Sequence, residues 1–322
     1  MVRDGKIPSR AIGSLQVGAI GLGCMTMAGA YETDVDDERS IEAIHRALEL
    51  GVTLIDTADA YGAFSNERLL GRALVGHREA AVVATKVGLV PHGPADRRTF
   101  TRDGSVAHVR EGIDGSLERL GVDHVDLYQL HRVDPEVPLE ETWGAMAETV
   151  QSGKAREIGL SEVGVEELER AHAIHPVASV QSELSLWERG ALAEVLPWCA
   201  ANGVAFIPFA PLGRGYLTGT IAPDATLAAG DWRTSNPRFT PEALAANAPI
   251  VERVRAVAQR LGATPAQVAL AWTLAQDDGV VPIPGTRRPE RVEENAGSAL
   301  LTLSTEDLAQ LDALPAVVGA RY

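Results

Sequence analysis

The chain has 322 residues, 45% hydrophobic and 23% charged, a composition that suits a folded globular protein and excludes a disordered or collagen-like one. Its 29 Lys and Arg stand against 44 Asp and Glu, a formal net charge of −15, which argues against nucleic acid or an anionic membrane surface as a partner. Two cysteines, Cys24 and Cys199, give no disulfide framework, the eight histidines lack zinc-finger spacing, and the start MVRDGKIPSR has no apolar signal core, so a soluble cytoplasmic protein without a membrane span is expected.

In chain order, residues 6–12 and 15–19 flank Gly13-Ser14 and predict a β-hairpin over about 6–19. Short apolar runs follow at 18–23 (GAIGLG), 53–57 (TLIDT), 80–86 (AAVVATK), 125–131 (VDLYQLH), 155–161 (AREIGLS), 179–184 (SVQSEL), 204–212 (VAFIPFAPL) and 280–284 (VVPIP). They are aliphatic or β-branched on both parities, the pattern of strands covered on both faces. Helical patterns fill the gaps. Over 36–50, Ile41, Ile44, Ala47 and Leu48 form one stripe, closed by Gly51. Thr264-Pro265-Ala266-Gln267 reads as a capping box with Pro at the first helical position.

Strand then helix, about eight times over, predicts a (β/α)8 TIM barrel, whose usual size of ~250 residues leaves room for insertions. The surplus is the hairpin, a long loop over 224–239 and a C-terminal helix at about 304–314. The expectation is one domain over 1–322 with the barrel at about 19–300. Two open-sheet domains are the alternative, but no linker or composition break marks a boundary between them.

A barrel carries its site at the C-terminal ends of its strands. There the apolar runs end in Asp56 (followed by Thr57, Asp59 and Tyr61), in Lys86 and in His131. Each alone reads as ordinary packing or a solvated rim; together they suit carbonyl reduction. Hydride addition to C=O builds negative charge on oxygen, and an acid must neutralise it. Tyr is a weak acid at about 10. The expectation is that Lys86 lowers the pKa of Tyr61, that Asp56 keeps Lys86 charged, and that His131 donates towards the carbonyl oxygen.

The stretches LIDTADAYG…NERLLGRAL, ATKVG and DLYQLH resemble the aldo-keto reductase superfamily, from the hairpin to about Asn295. That resemblance implies a barrel using NADPH/NADP+ without a metal, acting on a small-molecule carbonyl substrate, with a catalytic tetrad at Asp56, Tyr61, Lys86 and His131. It implies that Ser161 and Gln181 bind the nicotinamide carboxamide and that Phe209, where the family usually has Tyr, stacks on the ring. Glu162 stands where many members have Asn, and a carboxylate cannot donate to the carboxamide oxygen. Leu212, Gly213, Arg214 and Gly215 resemble the loop that covers the pyrophosphate. Thr286, Arg287 and Arg291 resemble the grip on the 2′-phosphate, and Glu294 and Asn295 the adenine contacts. Gly285 replaces a Lys of many members, with Arg287 near enough to compensate. No G-x-G-x-x-G opens a helix, so a Rossmann domain is unsupported.

Met25, Trp187 and Trp232 are the expected walls of an apolar, partly aromatic substrate pocket. His172-x-x-His175 has a metal-compatible spacing but lies away from the strand rim, and a solvated pair is expected. The sequence leaves open the substrate, the direction of the reaction and the oligomeric state. Two rival functions stand beside reductase: an NADPH-binding regulatory or sensor subunit with negligible turnover, and a hydrolase pairing Asp56 or Asp59 with Glu162 or Glu183. The second leaves Tyr61, Lys86 and His131 without a task.

Overall fold

The computed structural model describes residues 7–29, 36–93, 99–222, 224–225, 227 and 231–321. Lys6, at the start of the predicted hairpin, and residues 223, 226 and 228–230, in and beside the predicted long loop, lie outside the described residues.

β1 (Ser9–Ile12) and β2 (Leu15–Gly18) pair antiparallel around Gly13-Ser14. β3 (Leu22–Gly23), β4 (Leu54–Asp56), β5 (Val82–Val87), β8 (Val125–Leu130), β9 (Ala155–Ser161), β10 (Ser179–Glu183) and β11 (Ala205–Phe209) form a parallel sheet in that spatial order. The eighth predicted strand closes it without being a regular ladder. Val281 and Ile283 donate to the carbonyls of Phe206 and Pro208, while those of Pro282 and Pro284 accept from Gly21 and Gly23. The two prolines have no N–H to return, so this closing segment is held by half of the usual bonds on the Gly21–Gly23 side. The fold is a (β/α)8 barrel, plugged at the bottom by the hairpin. The sequence missed a second hairpin, β6 (Leu89–His92) with β7 (Thr99–Arg102), which follows the Lys86 strand.

The helices begin and end where their sequence signals stand. α1 (Asp37–Glu49) is capped by the Asp36 carboxylate accepting from the N–H of Arg39, and Gly51 follows in the left-handed region at φ 84°. α8 (Pro265–Leu274) opens on the predicted Thr264–Gln267 capping box. α2 (Ser65–Leu74), α3 (Val106–Leu120), α4 (Leu139–Gln151), α5 (Val165–His172), α6 (Val195–Asn202), α7 (Pro241–Leu261), α9 (Pro289–Gly297) and α10 (Thr305–Asp312) complete the helices of the described residues.

Strand register sorts the side chains into two cores. The outward set, including Ile55, Val83, Tyr128, Ile158, Val180 and Phe206, packs under the helices. The inward set stacks in layers. Ile12, Leu15 and Val17 of the hairpin meet Leu54, Ala84, Leu127, Ala205, Ile207, Val281 and Ile283. The inward Glu157, at the barrel bottom, accepts from the Ser14 N–H at 2.7 Å and so latches the hairpin turn. Towards the mouth, the inward residues of β4, β5, β8, β9 and β10 become Asp56, Lys86, Gln129, Ser161 and Gln181. An apolar floor thus carries a polar layer at the mouth.

Candidate active site

The polar layer is one bonded network. Lys86 is fully buried, and its Nζ donates to Asp56 Oδ1 at 2.5 Å, to the Thr57 carbonyl at 2.8 Å and to the Tyr61 hydroxyl at 3.3 Å. The other Asp56 oxygen accepts from Gln181 Nε2 at 2.8 Å and from Gln129 Nε2 at 3.2 Å. Gln129 was not singled out from the sequence, although an amide inside the apolar run VDLYQLH is the signal that would have found it. Gly159 makes room for it: a Cβ there would meet Ser179 Oγ at 2.3 Å and the Gln129 side chain at 3.3 Å.

Tyr61 lies on a loop that the fold holds from several sides. Thr57 Oγ1 donates to Asn66 Oδ1 at 2.7 Å, Asn66 Nδ2 donates to the Cys24 carbonyl at 3.0 Å, and the Phe64 N–H reaches back to the Asp59 carbonyl at 2.9 Å. Gly62, Ala63 and Phe64 follow Tyr61 in the left-handed region, at φ 60°, 48° and 74°. The two non-glycine residues there hold a conformation costing on the order of 1–3 kcal/mol each, which only a well-fastened loop sustains. His131 meets Tyr61 edge-on, with ring centroids 5.7 Å apart. The structure therefore brings Asp56, Tyr61, Lys86 and His131 together at one rim.

Burial sets the proton affinities of this group. It pushes the Tyr61 phenol above 10; Lys86 pulls the other way and is outweighed, while Asp56 adds to the rise. This corrects the expectation of a phenol lowered by its ammonium neighbour, because desolvation of the phenolate exceeds the attraction. Burial also disfavours the Lys86 cation, but Asp56 and Tyr61 outweigh it and raise the amine. His131 is driven well below 6.5 by burial, then by Lys86 and Arg132, so the imidazole is neutral. Its Nδ1 is buried without a hydrogen bond.

Of the other predicted positions, Ser161 and Gln181 are paired in register beside this centre. Ser161 Oγ accepts from Arg132 at 3.1 Å. Phe209 is half-buried at the end of β11. Gly213, Arg214 and Gly215 are all left-handed, at φ 56°, 56° and 94°, in the turn after β11. Arg214 differs from expectation. Its guanidinium grips Glu183 bidentately at 2.7 and 2.9 Å and is 6% exposed, so its charge is directed into the protein rather than outward from the loop. Glu162 is ion-paired to Arg321, and Glu183 to Arg214 and Arg321, so each candidate partner of Asp56 or Asp59 in the hydrolase reading is engaged by arginine.

Thr286 and Arg287 precede α9, Arg291 lies in its first turn, and Glu294 and Asn295 lie further along it. No side chain caps this helix; Arg291 pairs with Glu294, and Thr286 Oγ1 accepts from the Arg288 N–H at 3.2 Å. Of the expected pocket walls, Met25 is 36% exposed on a short turn after β3. Trp187 is corrected: it is 1% exposed, stacked on Tyr216 at 4.3 Å, and underlies the loop instead of facing the cleft. Trp232 is half-buried with the Arg214 guanidinium over its ring, 5.5 Å from the centroid. His172 accepts from the Val177 N–H and packs edge-on to Trp198; among the described residues no cluster of His, Cys, Asp and Glu could hold a metal ion, and no helix is long and apolar enough to cross a membrane.

Comparison with known proteins agrees with this architecture. The family model "Aldo/keto reductase family" matches residues 19–316. The chain is 41% identical over 316 residues to "Probable aldo-keto reductase 1" of Glycine max, covering 95% of this chain and 89% of that one. Among solved structures, the glycerol dehydrogenase of Gluconobacter oxydans is similar at 29% identity and a TM-score of 0.87, over 95% of this chain and 94% of its own. An aldo-keto reductase of Klebsiella pneumoniae in complex with NADPH is similar at 28% identity and a TM-score of 0.75, over 100% and 98%. The chain belongs to the aldo-keto reductase family and is an oxidoreductase.

Proposed function

We propose that this protein is an NADPH-dependent reductase of aldehydes or ketones, working reversibly, with Tyr61 as the proton donor. The observation that carries this reading is the buried chain of contacts from Asp56 through Lys86 to the Tyr61 hydroxyl, with His131 beside it at the barrel mouth.

The residues around the mouth fit the cofactor. The Gln181 side-chain nitrogen is engaged by Asp56 and by Gln129 Oε1, which leaves its own oxygen to accept from a carboxamide. Ser161 stands next to it on the neighbouring strand, and Phe209 offers a flat apolar face with no hydroxyl. The N-terminus of α9, where no side chain caps the helix, with Arg287 and Arg291 beside it, suits a phosphate, because the positive end of the helix dipole and guanidinium forks both match the anion. Glu294 and Asn295, further along the same helix, are the adenine side of that site, and the Leu212–Gly215 turn the pyrophosphate side. The relative solved in complex with NADPH supports the choice of cofactor.

When bound, the reduced nicotinamide supplies hydride to the carbonyl carbon. Tyr61 holds its proton at neutral pH because burial favours the uncharged phenol. As negative charge develops on the carbonyl oxygen, the hydroxyl transfers its proton there, and the Lys86 ammonium stabilises the phenolate that remains. Asp56 and the Thr57 carbonyl fix Lys86 in place. His131 is neutral, so its imidazole has one N–H, and in this reading that N–H donates to the same oxygen.

The test is NADPH oxidation by the purified protein against chemically diverse aldehydes and ketones. Turnover is expected; tight NADPH binding with negligible steady-state turnover would mark the sensor function instead.

A further inference from the structure

Near its C-terminus the chain runs back into the barrel mouth. After α10 it is fastened to α7 and to the turns before it. Asn247 donates to the Val318 carbonyl and accepts from the Val318 N–H, both at 2.9 Å, and Asn236 donates to the Arg321 carbonyl at 2.9 Å. Gly319, at φ 99°, lies so close that a Cβ would meet the Pro237 carbonyl at 2.8 Å. These bonds deliver the Arg321 guanidinium to the cofactor side of the site. Its Nε donates to Glu183 at 2.6 Å, a terminal nitrogen donates to Glu162 at 2.8 Å, and its carbon stands 5.6 Å from the Phe209 ring centroid.

Glu162 poses a chemical problem that Arg321 answers. A carboxamide presents an acceptor and a donor, and an Asn can meet both, whereas a carboxylate only accepts. Glu162 also holds a left-handed backbone, φ 57°, in a non-glycine residue directly after Ser161. That conformation persists only where its surroundings hold it, and here the side chain is tied to Arg321 and to the Glu183 N–H at 3.1 Å.

We propose that Arg321 is a cofactor-binding residue: it and Glu162 form a donor–acceptor pair for the nicotinamide carboxamide. The guanidinium donates to the carboxamide oxygen and Glu162 accepts from the carboxamide nitrogen. A guanidinium presents its N–H donors in a rigid planar fork, a geometry that serves several acceptors at once. The inference rests on the NADPH reading above.

The test compares two ligands on the full-length chain: NADPH, and 2′-phospho-ADP-ribose, which keeps the adenosine, the pyrophosphate and the 2′-phosphate but lacks the nicotinamide. Arg321→Ala is expected to weaken NADPH binding at least about tenfold, the scale of a lost charge-assisted bond, while binding of the fragment changes less than about twofold. Retained fragment binding also reports that the variant is folded. Equal weakening of both ligands would overturn the proposal by reducing the tail to a general support. Unchanged or tighter NADPH binding would overturn it by placing the guanidinium outside, or in competition with, the carboxamide position. If the unsubstituted protein binds the fragment and not NADPH, the nicotinamide reading itself fails, and that result needs no variant to be seen.

Discussion

Tyr61 and His131 face each other across 5.7 Å, and burial drives both towards their uncharged forms. For the phenol that means a proton retained well into the alkaline range; for the imidazole it means no proton gained in the mildly acid range. The rate of carbonyl reduction, followed as kcat/KM, is therefore expected to be level from about pH 6 to about pH 9 and to fall only above the ordinary phenol value of about 10. Alcohol oxidation needs Tyr61 to accept a proton, so it should rise with pH over the same range. A reduction rate that halves near neutral pH would show that Lys86 dominates over burial. The clustering of Asp56, Tyr61, Lys86 and His131 was legible because four ionisable residues stood at the ends of three apolar runs. Gln129 and Arg321 were not singled out: the first is ordinary in composition and special only in its inward parity. The second is 138 residues from its Glu183 partner, a separation that no local pattern bridges.

At the scale of elements, most strands and helices announced themselves, since period, caps and turns are local properties. Asp36, Gly51 and Thr264 delimit their helices as their residue types require. The β6–β7 hairpin was missed because its strands are short, β6 half-buried and β7 exposed, with no apolar alternation to mark them. The 280–284 run was read as a strand, and it does occupy the closing position, but its prolines reduce the ladder to carbonyl acceptors on one side. Function at this scale rests on α9. Its uncapped end with Arg287 and Arg291 is the proposed 2′-phosphate site, so Arg291→Ala should reduce the preference for NADPH over NADH by about tenfold with kcat kept. Arg291 already pairs with Glu294, and that pair must open to a phosphate. An unchanged preference would move the phosphate site elsewhere.

Over the whole molecule, the polar layer at the mouth depends on an apolar floor beneath it and on buried charges behind it. Asp59, 3% exposed, sits near Glu67, which receives Thr85 at 2.6 Å and Arg119 at 2.6 Å and so ties α2 to β5 and α3. Burial, then the Glu67 charge, raises Asp59 to about 7 from 3.8, and its Oδ1 has no partner. An acid with a raised folded-state pKa holds a proton that the unfolded chain has lost, so stability from Asp59 is full below about pH 4 and declines up to about pH 7. Asp59→Asn should therefore gain on the unsubstituted protein between pH 5 and pH 8, by on the order of 1 kcal/mol or more in urea unfolding. A difference that does not vary with pH would mean that Asp59 does not titrate there.

All of this serves one claim, that the Tyr61 hydroxyl delivers the proton. Single-turnover NADPH oxidation in the presence of an aldehyde, compared between the unsubstituted protein and Tyr61→Phe, tests it most directly. The rate is expected to drop by about 10²-fold or more in Tyr61→Phe, with NADPH affinity unchanged. A Tyr61→Phe protein that turns over at a rate close to that of the unsubstituted enzyme would contradict it.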